Sequence, residues 1–172
     1  MRTGTRATST ALGELYARHA PAALRFAYYV SGDRERASDL VQDAFVRVSG
    51  RFAHLREPER FEAYLRRTIV NLHTSRLRRL RLERDHIARE RARAADPHID
   101  PDPVERDEVW HAILGLPPRQ RAAIVLRYYE DYSEREAADV LGCSTGAMNQ
   151  LIVRATAALR RSMTPPTEES SR

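Results

Sequence analysis

The stretch LPPRQRAAIVLRYYEDYSEREAADVLGCSTGAMNQLIVRATAALRR, residues 116–161, contains two helix starts separated by a tight turn. Ser133 can cap the first helix, and Glu136 stands three positions on, the spacing of a capping box. Gly142 marks the end of that helix, because a residue without a Cβ takes the left-handed backbone of a helix terminus freely. Ser144 can cap a second helix at once, which leaves a turn of about three or four residues. This is the layout of a helix-turn-helix, whose second member enters a DNA major groove.

The second helix carries the matching faces. At about 100° per residue, Met148, Leu151, Ile152, Ala155 and Leu159 fall within roughly one third of the circumference. Asn149, Gln150, Val153, Arg154, Arg160 and Arg161 lie on the other side. The apolar stripe has to pack on the preceding helices, so Asn149, Gln150 and Arg154 point outward. Asn and Gln pair with adenine edges, and Arg with guanine or phosphate. The solvated face of an ordinary helical bundle would show the same pattern, so the rest of the chain must decide.

The composition favours a polyanionic partner. The 172 residues carry 29 basic side chains, every one of them arginine, and a net charge of +5. Each cationic site therefore has a planar fork able to hold phosphate bidentately. A single cysteine, Cys143, excludes a disulfide framework and a thiolate metal cluster. The six histidines, at 19, 54, 73, 86, 98 and 111, show no ligand spacing and read as solvated or packing residues. Trp110, Tyr128 and Tyr129 read as core. Neither a Gly-rich phosphate loop nor a nucleophile–base–acid set is present, so no catalytic residue, metal or cofactor is expected. No run is apolar enough to span a membrane, and residues 1–10 lack the apolar centre of a signal peptide; a cytoplasmic protein is expected.

The chain reads as all-α: two small helical domains joined by a flexible linker. Residues 1–10, rich in Thr and Ser, read as a disordered N-terminus, followed by a helical domain over 11–81. Within it, helical signals run from Ala11 to about Val30, with Pro21 placed to split or kink them. Asp33 can cap a helix ending near Ser49-Gly50, and a long helix follows from about Glu59 to Arg81. Residues 82–107 form the linker. Its centre is acidic: residues 96–108 hold six acids and one arginine, a net of −5, with Pro97, Pro101 and Pro103 breaking any helix. Residues 108–163 make the second domain and 164–172 a disordered tail. Each domain is near the lower size limit for an independent core, a limit that docking on a large partner would relieve.

The long helix holds a second DNA-directed pattern. Phe61, Leu65, Ile69, Leu72 and Leu80 share one face, and Arg67, Asn71, Thr74 and Arg78 lie roughly opposite within about 60°. Residues 60–93 contain eleven arginines against four acids, a net of +7. A cationic strip beside one carboxamide suits backbone tracking with a base contact. Two basic readers on an acidic strap are harder to reconcile with an ordinary bundle.

At this point the chain resembles the extracytoplasmic-function (ECF) RNA polymerase sigma factors of the sigma-70 superfamily, over about residues 12–161. Asp39-Leu40-Val41-Gln42-Asp43 with Ala44-Phe45 is similar to the family's DLVQE-x-F segment. The run from Phe61 through Asn71-Leu72 to Arg76, Arg78 and Arg79 is similar to its F-x-x-W-L…N-L…R-x-R-R helix. The run from Leu116 to Arg154 follows its LPxxxR…LRYYE…LGCS…RA pattern. Leu72-His73-Thr74-Ser75 is similar to a segment of an actinobacterial, SigE-like subgroup.

The resemblance implies a non-enzymatic transcription initiation factor. Asp39, Gln42 and Asp43 would dock on the β′ clamp helices of core RNA polymerase. Arg67, Asn71, Thr74 and Arg78 would meet the −10 promoter element as it melts, with the loop 51–58 as a pocket for a flipped base. Ser144, Thr145, Asn149, Gln150 and Arg154 would meet the −35 duplex while the second domain sits on the β flap. The acidic linker would lie in the RNA channel. An anti-sigma factor is a further partner of the family. Tyr64 and Ser75 stand where the family usually has Trp and Asp. The recognition helix departs further, MNQLIVRAT replacing a run usually written VKSRLHRAR, so that of its cations only Arg154 remains. Weaker or unusual −35 recognition is expected, since each lost phosphate contact lowers affinity and salt slope. A helix-turn-helix repressor and a nucleic-acid-processing enzyme are the rival classes. The DLVQD helix argues against the first, and the lack of a carboxylate cluster or metal motif against the second.

Overall fold

The structure is a computed structural model that describes residues 3–52, 58–90 and 108–163. Those residues form α1 (Thr3–Ser31), α2 (Arg34–Phe52), α3 (Pro58–Glu90), α4 (Glu108–Leu114), α5 (Pro118–Ile124), a π-helical turn (Val125–Tyr129), α6 (Glu134–Leu141) and α7 (Thr145–Met163). The described residues contain no strand, so the all-α class holds. The centre of the acidic linker, loop residues 53–57 and the tail lie outside the described residues.

Helical spacing decides what is buried. In α2, Ala37, Leu40, Val41, Ala44, Phe45 and Val48 recur at intervals of three and four and all lie inside. In α1 the same spacing buries Ala20, Ala23, Ala27 and Val30, with Phe26 beside them; in α3 it buries Phe61, Leu65 and Ile69. Asp33 caps α2, its Oδ1 accepting from the Arg36 N–H at 2.8 Å.

Three boundaries differ from the sequence reading. The segment read as a disordered N-terminus is helical from Thr3, because Thr and Ser are weak helix formers rather than breakers. Pro21 does not divide α1; it lies on the exposed side, where the carbonyl of exposed Ala17 that it leaves free can face water. The helices also run on: α2 passes Gly50 to Phe52, and α3 continues beyond Arg81 to Glu90, in a stretch with neither glycine nor proline.

The two small helical domains also pack on each other. Residues from α1, α2 and α3 and from α5, the π-turn, α6 and α7 share one cluster of buried side chains. A second cluster, around Trp110, Ile113 and Leu114, draws in Tyr28 and Tyr29 of α1. The apolar shortage expected of each half is met by burying one against the other.

Candidate nucleic-acid interface

The helix-turn-helix forms as its sequence requires. The Ser133 Oγ accepts from the Glu136 N–H at 3.3 Å, and the Ser133 N–H donates to the Glu136 carboxylate at 2.8 Å. The Ser133 hydroxyl also donates to that carboxylate at 2.6 Å, and this bond first, with the one from the Ser133 N–H second, holds the Glu136 carboxyl below its usual pKa. Gly142 ends α6 at φ 60°, ψ 46°. The left-handed backbone there favours glycine, and the Arg67 guanidinium lies close over it, 2.5 Å from where a Cβ would stand. The Ser144 Oγ then accepts from the Ala147 N–H at 3.2 Å and starts α7.

On α7, Met148 and Ala155 are fully buried, and Leu151, Ile152 and Leu159 are partly so. Ser144, Thr145, Asn149, Gln150 and Arg154 are all exposed, as the wheel places them. Val153, 54% exposed, lies among them. A methyl-bearing side chain there has the chemistry to meet the 5-methyl of thymine if this face enters a major groove.

On α3, Arg67, Asn71 and Arg78 are exposed. Thr74 is half-buried, and its hydroxyl donates to the Val70 carbonyl at 2.8 Å, so it is less free than the wheel suggests. Asp39, Gln42 and Asp43 share the outer face of α2, with Val46 68% exposed one turn on. Asp39 stands 3.6 Å from the Arg76 guanidinium across to α3.

Sequence reasoning missed a second buried face on α3, formed by Arg66, Val70 and His73. Arg66 lies 2.5 Å from Glu130 of the second half and 2.5 Å from Glu62, under the rings of Phe26 and Tyr132. Burial alone would lower its pKa; the bonds to Glu130 and Glu62 outweigh that and raise it. Arg121, also buried, donates to the carbonyls of Val30 (2.9 Å), Leu116 (3.3 Å) and Leu114. Burial brings it down to about 10, so it remains a cation at neutral pH. His73 is 4% exposed, its Nε2 has no hydrogen-bond partner, and burial followed by Arg121, Arg36 and Arg76 depresses its pKa to about 4. It is a neutral packing residue. Arg119 and Arg127 bond the carbonyls of Leu141 (3.0 Å) and Tyr132 (3.1 Å). Part of the arginine count thus fastens the fold and is unavailable to phosphate.

The remaining aromatic residues divide. Trp110 is core, with its ring centroid 5.3 Å from Tyr29 and 6.0 Å from Tyr28. Tyr128 is 62% exposed and Tyr129 42%, so neither is core as the sequence suggested, although Tyr129 lies against Tyr29 at 5.0 Å. A cleft of about 390 Å³ between the halves is lined by Glu62, Glu130, Asp131, Glu136 and Asp139 and would repel a phosphate backbone. Among the described residues no group of acidic, His or Cys side chains could hold a metal, and no helix is long and apolar enough to cross a membrane.

Two helix groups of this design, the second ending in a helix-turn-helix, define a DNA-binding class of protein. Comparison with known proteins narrows it. Residues 15–83 match the family described as Sigma-70 region 2, and residues 106–159 match Sigma-70, region 4. The chain is 34% identical over 166 residues to the ECF RNA polymerase sigma factor SigE of Mycolicibacterium smegmatis, covering 92% of this chain and 63% of that relative's length. It is 32% identical over 142 residues to the RNA polymerase sigma-E factor of Streptomyces avermitilis, covering 83% and 79%. Among solved structures, CnrH in complex with the cytosolic domain of CnrY is 29% identical with a TM-score of 0.59, over 91% of this chain and 92% of that one. The fold also matches the sigma factor RpoE of Bartonella quintana, at 22% identity and a TM-score of 0.67, over 90% and 98%. The chain belongs to the sigma-70 family of RNA polymerase sigma factors, in its ECF branch.

Proposed function

We propose that this chain is an alternative sigma factor that binds core RNA polymerase and directs promoter recognition, DNA melting and transcription initiation. The observation that carries this is the joint occurrence of both sigma-70 regions, in order, each presenting an exposed polar face where the family's reading needs one. Residues 11–81 and 108–163 act as the two working units. Asp39, Gln42 and Asp43 meet the β′ clamp helices, with exposed Val46 adding apolar contact. Arg67, Asn71 and Arg78 meet the −10 DNA, with Thr74 at the margin, while Ser144, Thr145, Asn149, Gln150 and Arg154 meet the −35 duplex. The chain works in the cytoplasm beside the polymerase and makes or breaks no bond itself. An anti-sigma factor fits as a regulator, since solved relatives are held by one in their complexes.

In vitro transcription with core polymerase and a genomic template library tests this. Start sites should share an upstream element, and Asp39→Arg with Asp43→Arg should reduce transcripts at least tenfold while leaving helicity unchanged. Equal transcription by that double variant would refute the docking assignment.

A further inference from the structure

We propose that the projecting end of α3 is a third DNA contact, gripping the phosphates of the duplex just upstream of the −10 element through Arg79 and Arg81. Its direction along the DNA rests on the sigma reading; the surface itself stands on exposure and charge. As far as His73 the helix is seated in the body, with Arg66, Ile69, Val70 and His73 buried. From Arg78 to Glu83 every residue is exposed, so the helix has left the body there. Leu80, the last member of its apolar stripe, is 40% exposed, and Leu82 is 63% exposed. Arg76 reaches Asp39 at 3.6 Å, whereas Arg78, Arg79 and Arg81 make no ion pair among the described residues.

A helix exposed on every side is steadied by opposite charges three or four residues apart, or by a partner. No such pair forms within residues 78–83, and four arginines, at 76, 78, 79 and 81, precede the first acid, Glu83. The surface is complementary to a polyanion. At about 100° per residue, Arg81 falls on the strip of Arg67, Asn71, Thr74 and Arg78 and prolongs it, while Arg79 points about 160° away from Arg81. A helix lying in a major groove has a phosphate wall on either side, and this pair of side chains can reach both. The rise from Asn71 to Arg81 is about 15 Å, the length of about four base pairs at ~3.4 Å each. From this end of α3 the chain continues to the half that meets the −35 duplex, so the end points upstream. Arg81 is thereby set beside the spacer duplex, beyond the bases that Asn71 meets.

The test uses holoenzyme assembled from core RNA polymerase and the full chain, with Arg79→Ala and Arg81→Ala combined. Both side chains are exposed, so the helical circular dichroism should not change. Two labelled forked DNAs carry the same −10 strand. One ends at the upstream edge of the −10 element; the other continues as duplex into the spacer, short of −35. On the longer DNA, the slope of log affinity against log salt should fall by about two units in the double variant. Raising salt from about 50 to about 200 mM should therefore cost the parent about tenfold more affinity than the variant. On the shorter DNA the two proteins should behave alike. Arg18→Ala with Arg135→Ala removes as much charge from exposed positions elsewhere and should leave the slope on the longer DNA unchanged. Equal slopes for the parent and the Arg79/Arg81 variant on the longer DNA would overturn the proposal. So would the same loss on both DNAs, or the same loss from the Arg18/Arg135 variant. If the parent gives no polymerase-dependent transcripts, the sigma reading falls and the proposal with it; transcripts with unchanged slopes remove the proposal alone.

Discussion

Acidification should loosen this fold through one side chain, His73. The imidazole is 4% exposed, lacks a partner at Nε2, and faces Arg121, Arg36 and Arg76. Burial first, and those cations second, move its pKa from 6.5 to about 4. The unfolded chain takes up a proton at His73 near pH 6.5, whereas the folded chain resists until about pH 4. Between those values the unfolded state binds more protons, so stability falls as pH falls through that window and the loss is complete near pH 4. At about 1.4 kcal/mol per pH unit, a window of about 2.5 units amounts to about 3 kcal/mol, a large share of a small domain's ~5–15 kcal/mol. Urea denaturation followed by circular dichroism, at half-unit steps from pH 7.5 to 4, measures it. Comparison with His73→Leu isolates the residue, because the other titrating groups are common to both proteins. The stability gap between the two should change by about 3 kcal/mol in favour of the leucine variant as pH falls. Parallel curves across the window would refute the placement of a neutral, buried His73.

Four further outcomes are expected. Arg154→Ala should lower the slope of log affinity against log salt by about one unit on a −35 duplex, and Asn149→Ala should relax base preference at one position by about 1–3 kcal/mol, both read by fluorescence anisotropy. Replacing a −35 thymine by deoxyuridine should weaken binding by the parent chain but not by Val153→Ala; equal loss in both would remove Val153 from the interface. Ser133→Ala should cost about 0.5–2 kcal/mol of thermal or urea stability, because it strips the capping box at the start of α6.

What was legible in the sequence was what repeats locally. Capping at Ser133, termination at Gly142 and the split faces of α7 all follow from residues within a few positions of one another, and the structure bears them out. Helix extents were less legible. A charged stretch such as that after Arg81 suits a solvated helix as well as a linker, and Pro21 is harmless only because of the side it occupies. The junction was not legible at all. Arg66 and Arg67 are adjacent and chemically identical, yet one is buried on Glu130 and the other exposed. The helical wheel sets Arg67 outward and Glu62 partners Arg66 locally, but the acid that buries Arg66, Glu130, is 64 positions away. Counting arginines as a DNA footprint therefore overstated the free cations, by Arg66 and Arg121 at least.

The chain's single tryptophan gives it an intrinsic optical gauge. Trp110 is 6% exposed and stacked among tyrosines that belong to the other half of the molecule. Any event that draws the halves apart must wet the indole, and its emission should then move to longer wavelength without a dye. Stopped-flow mixing with a tryptophan-free ligand, such as promoter DNA, could thus time the separation in the untouched protein.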